Sequence, residues 1–119
     1  MTATNPTIAV NGRDAVIYAG GAATADDDVI LEIDTSNFDE FLFGCTQGTV
    51  DVLASMDGTN YLSTPLTLFD FGAVGADNQL TVSNEAAANH VCGIKGAFAR
   101  LRFMQKGATA VTAFGLSAK

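Results

Sequence analysis

The sequence has 119 residues, 48% of them apolar and only 16% charged, with a net charge of −7. That length suffices for one domain with a core, and the acidity disfavours binding to nucleic acid. No apolar run approaches the roughly 20 residues of a membrane-spanning helix, and a mean hydropathy of +0.25 without such a span implies apolar surface covered by a partner or by another copy.

Residues 1 to 14 are rich in Thr, Ala and Asn and carry Pro6 and Asn11-Gly12, which predicts an extended arm with a short strand at Ile8–Val10. Thr2, Thr4, Pro6, Ile8 and Val10 are the arm's candidate contacts with a neighbour, and residues 15 to 119 form the expected single domain. The start has neither the basic residues nor the apolar segment of a secretory signal, so synthesis in a cytoplasm is expected. The two cysteines, Cys45 and Cys92, are then expected as buried reduced thiols.

Ala15–Ala19 reads as a strand ended by Gly20-Gly21, followed by a loop closing on Asp26-Asp27-Asp28. Val29, Leu31 and Ile33 alternate with Ile30, Glu32 and Asp34 at the two-residue period of a strand, and Phe41, Phe43 and Cys45 repeat the pattern after a break at Thr35-Ser36-Asn37. The most complete local instruction runs from Val50 to Tyr61. Val50, Val52, Ala54 and Met56 alternate with Asp51, Leu53 and Ser55, Asp57-Gly58 supplies a tight turn, and Tyr61 restarts the apolar pattern. Strands so closely spaced predict locally paired antiparallel meanders.

Pro65 predicts that Leu66–Phe69 is an edge or irregular strand, closed by Asp70-Phe71-Gly72. Gln79–Val82 is a short strand, and Ser83–Asn89 holds at most one helical turn. His90–Ile94 and Ala97–Met104 read as strands, the second with Ala99, Leu101 and Phe103 on one face; a last strand spans Thr109 to Ser117, with Val111, Ala113 and Gly115 on one face. Eight or nine short strands make an all-β, antiparallel two-sheet β-sandwich or jelly roll the expected fold, with a closed eight-stranded barrel as the alternative.

Charge is divided along the chain. Residues 1 to 89 hold all thirteen acids and one base, a balance of −12, whereas residues 90 to 119 hold Lys95, Arg100, Arg102, Lys106 and Lys119 and no acid, a balance of +5. The two halves attract, either across strands of one domain or between copies, and Arg100, Arg102 and Lys106 are candidate contacts in the second case.

Residues that suggest chemistry have simpler explanations. The three consecutive acids lack the alternating spacing of a calcium loop, and Asp57-Gly58-Thr59-Asn60 is accounted for by the turn. His90-Val91-Cys92 offers two soft ligands where zinc needs four, and no group visible in the sequence orients His90 as a base for Cys92. No catalytic residue, metal ligand or cofactor is therefore expected.

The Ser-x-Asp-Gly-Thr-Asn-Tyr hairpin within Val50–Tyr61, together with Gly96–Phe103 and Thr109–Ala113, resembles the small β-sandwich accessory proteins of tailed bacteriophages. That resemblance implies a structural virion protein, a capsid decoration or cement protein on the head surface. It would form oligomers, with trimers favoured, and bind the major capsid protein, without direct contact to nucleic acid or membrane. Related sandwiches serve as tail or fibre modules and as carbohydrate-binding modules. The absence of Trp and the presence of only two Tyr weigh against sugar stacking.

Overall fold

The structure is a computed structural model that describes residues 7–10, 16–20, 23–73 and 80–119. Among them are ten strands and no helix: β1 (Thr7–Val10), β2 (Val16–Ala19), β3 (Val29–Asp34), β4 (Glu40–Gly44), β5 (Val50–Ser55), β6 (Leu68–Ala73), β7 (Thr81–Ser83), β8 (His90–Lys95), β9 (Arg100–Gln105) and β10 (Gly115–Ala118). All pairings are antiparallel, and two sheets result: a seven-stranded one ordered β1-β2-β10-β4-β8-β6-β7 and a three-stranded one ordered β3-β9-β5. The expected antiparallel sandwich is the fold.

Alternation in the strands determines what lies between the sheets. Leu31 and Val52 flank Phe103 across the small sheet, and Ile33 and Ala54 flank Leu101; all six are buried. The large sheet answers with Tyr18, Phe41, Phe43, Leu68, Cys92, Ile94, Leu116 and Ala118. At the centre the Phe103 ring lies 5.1 Å from Phe43 and 5.3 Å from Phe114, in tilted and edge-on arrangements that suit ring quadrupoles.

Several local expectations are corrected. The meander fails because β3, β4 and β5 alternate between sheets, so β4 pairs with β8 and β10, and β3 and β5 both pair with β9. Asp70-Phe71-Gly72 does not end a strand. It sits inside β6, between β7 and β8, where Gly72 at φ 92° forms a bulge that shifts the register between Asp70 and Ala73.

A bulge also lies in β3 between Val29 and Leu31, and it turns Ile30 into the core beside Leu31. After Asp57-Gly58 the chain returns with a single bridge from Tyr61 to Ser55 and hydrogen bonds from Leu62 to Ala54 and from Leu66 to Val52, and Met56 is exposed.

The last predicted strand is broken by Ala113 at φ 52°. This break reverses the alternation, so Phe114, Leu116 and Ala118 face inward rather than Gly115. No helical turn forms at Ser83–Asn89, because the Ser83 hydroxyl bonds locally to Glu85 and Ala86 exchanges two backbone hydrogen bonds with Val50.

Candidate functional site

Arg100 and Arg102 lie on the outer face of the small sheet, two residues apart on β9 and thus on one side of it. Arg102 sits directly opposite Glu32 and donates from Nε to its Oε2 at 2.8 Å, while Arg100 places Nη2 3.1 Å from Oε1 of the same carboxylate. The Arg102 guanidinium also covers the Tyr61 ring at 3.9 Å, a cation–π contact that pins the irregular return strand onto the sheet. Burial, and then the nearby Glu32 charge, push the Tyr61 phenol above its ordinary value. Lys95 faces Glu40 at 3.7 Å at the exposed end of the β4–β8 pair.

These contacts join the acidic and basic parts of the chain across strands of one domain, the first of the two arrangements expected. Lys106 is exposed just beyond β9, where its backbone N–H donates to Thr49. Ile8 and Val10 belong to β1, which joins the large sheet through β2; Thr2, Thr4 and Pro6 lie outside the described residues.

The acidic loops are held by their own backbone. Asp57 accepts from the N–H groups of Thr59 and Asn60 and from the Asn60 amide, which holds its carboxyl far below the usual range. Asp28 accepts from Thr24 and Ala25, and Asp26 from Gly107. Among the described residues no three His, Cys, Asp or Glu side chains are placed to hold a metal ion.

His90 has an orienting partner that the sequence does not reveal. Asp70 comes from β6, twenty residues earlier, and its two carboxylate oxygens lie 3.0 and 2.9 Å from His90 Nδ1, while Oδ1 also accepts the Gly72 N–H of the bulge. A nucleophile is what this pair lacks in its neighbour. Cys92 is fully buried, and burial followed by the charge of Asp70 pushes its thiol up to about 12, so it stays protonated at neutral pH. Cys45 is likewise free and buried, with its thiol raised by burial. The His90–Asp70 pair thus ties β8 to β6 at the point where the bulge interrupts their ladder.

The outer face of the large sheet is the other notable surface. Leu42, Phe69, Phe71, Leu80, Val82 and Val91 are all exposed there. Beside them Leu42, Gly44, Val91, Gly115 and Ser117 line an open furrow of about 300 Å³ across β8, β4 and β10. This face was missed because an exposed apolar residue on a strand reads as a core residue until the register is known.

Fold and surfaces together define a two-sheet antiparallel β-sandwich protein with an exposed apolar face on its larger sheet. Its fold is similar to that of the SPBc2 prophage-derived protein YomS, seen in a crystal structure, with a TM-score of 0.62 over 89% of this chain and 94% of that one, at 13% identity. No protein-family model matches the sequence, and no curated protein does.

Proposed function

We propose that this chain is a structural protein of a bacteriophage particle, of the decoration or cement type, which binds the major capsid protein on the head surface. The observation that carries the reading is the likeness to a prophage-derived protein over nearly the whole of both chains. The chemistry of the surface agrees with it. Glu32 already pairs with both central arginines, Asp57 is consumed by its own turn, and the thiol beside the His90–Asp70 pair is buried and protonated. Attachment would then rest on shape and apolar burial, with surface charge setting orientation and not much affinity.

The test is to mix the purified protein with undecorated phage heads and sediment them. Saturable co-sedimentation, with bound copies in a fixed ratio to capsid subunits, is the expected result. Protein left in the supernatant at concentrations well above those of the subunits, or recovered on tails and not on heads, overturns the reading.

A further inference from the structure

We infer that the outer face of the seven-stranded sheet is an interface with a second copy of this chain, joined face to face about a two-fold axis running along β8. The inference is independent of the phage assignment and replaces the trimer implied by the resemblance.

The face has two halves of opposite relief. On one side of β8, Gly44 of β4 and Gly115 of β10 leave the furrow low, and Leu42, Val91 and Ser117 form its walls. On the other side, Phe69 and Phe71 of β6 and Leu80 and Val82 around β7 stand up from the sheet. Gly93 of β8 marks the boundary, since a side chain there would press on both Leu42 and Phe71 at 3.1 Å.

The low positions of the furrow lie on β4 and β10 and the ridge on β6 and β7, the first and second strands on either side of β8, at successive spacings of about 4.8 Å. Rotating one copy by half a turn about an axis parallel to β8 and just above this face therefore lays the ridge of each in the furrow of the other. Such a contact is isologous and closes at two copies.

Area and charge point to the same occupant. The six apolar side chains are between 36% and 67% exposed. At roughly 150–200 Å² per large side chain they offer about 500 Å², which matches the apolar core of a standard interface of about 800 Å² per partner. Among the described strand residues the charges on this face gather at one end of the β4–β8 ladder, where Glu40 pairs with Lys95 and lies opposite Lys119 at the end of β10. Two chains of net charge −7 can thus approach here without juxtaposing acids. A basic partner or an anionic membrane would instead require a charged face, and a sugar would require polar groups among the rings.

Analytical ultracentrifugation of the full chain over the micromolar to hundred-micromolar range tests the inference. A monomer–dimer equilibrium is expected. Val82→Glu on the ridge and Gly115→Glu in the furrow should each raise the dissociation constant by at least about 100-fold, because every dimer would bury two unpaired carboxylates. A Cβ at Gly115 meets no atom within 4 Å, so that variant keeps the fold, and matching circular dichroism and melting confirm it. Leu62→Glu, on an exposed residue near the small sheet's β5 edge, should leave the dimer intact. A wild-type monomer throughout the range, a trimer, or a dimer untouched by both substitutions overturns the inference.

Discussion

Phe103 is where the sandwich is most sensitive, and Phe103→Ala tests the assignment of the core. The residue sits at the middle of the central strand of the small sheet, fully buried, with Leu31 and Val52 on either side and the rings of Phe43 and Phe114 facing it. Truncation removes the ring from two aromatic contacts and leaves a cavity between two sheets whose backbones are each held by ladders, so little collapse can fill it. The expected loss is about 3–5 kcal/mol, including about 0.5–1.5 kcal/mol for each ring pair. For a domain of this size, that corresponds to a fall in Tm of roughly 12–20 °C.

Urea unfolding followed by circular dichroism should show the midpoint falling by about 2–3 M with the slope unchanged, taking a slope of about 1.5 kcal/mol/M. Met56→Ala, at a side chain 61% exposed, should stay within about 0.5 kcal/mol. A loss below about 1.5 kcal/mol for Phe103→Ala would refute the placement of this ring at the centre of the core.

Five further outcomes are expected. A double-mutant cycle on Glu32 and Arg102 should give a coupling of about 1–2 kcal/mol, against less than about 0.5 kcal/mol for the exposed Glu40 and Lys95, with chemical denaturation as the readout. Gly107→Ala should cost about 1 kcal/mol, since only its φ of 87° is strained. Gly48→Ala should cost about 2–3 kcal/mol, since its φ of 85° is joined by contacts at 2.8 to 3.0 Å with Val111 and two carbonyls; melting curves distinguish the two. Asp57 has a folded pKa below its unfolded value of 3.8, so its contribution is complete above that pH and is lost as the pH falls below it; Asp57→Asn should therefore flatten the stability profile at acid pH. Cys45 and Cys92 should resist a thiol reagent in the native protein and react, both together, only on unfolding.

The Glu32 cluster shows how a charge pattern legible in the chain becomes a site only through pairing. The sequence separates Glu32 from Arg100 and Arg102 by some seventy residues, and the register of β3 on β9 brings both arginines onto its carboxylate. The same holds for Asp70 and His90. The bulge at Gly72 is what carries the strand through Asp70 and beside β8, where the pattern of residues suggested an ending.

Two-residue alternation by itself determined which side chains of the predicted strands are apolar on one face, and hence an antiparallel sandwich with Phe41, Phe43, Leu101 and Phe103 inside. Local chemistry also determined the turn at Asp57-Gly58, because a carboxylate capping two N–H groups and a glycine at positive φ act within four residues. The partner of each strand, the phase reversal at Ala113 and the outward apolar face of the large sheet were decided only by tertiary structure. A strand's hydrogen-bonding groups are the same along its length and specify no neighbour. The choice falls to which pairing buries the most apolar surface across the whole chain, and here that leaves Leu42, Phe69, Phe71 and Val82 on the outside.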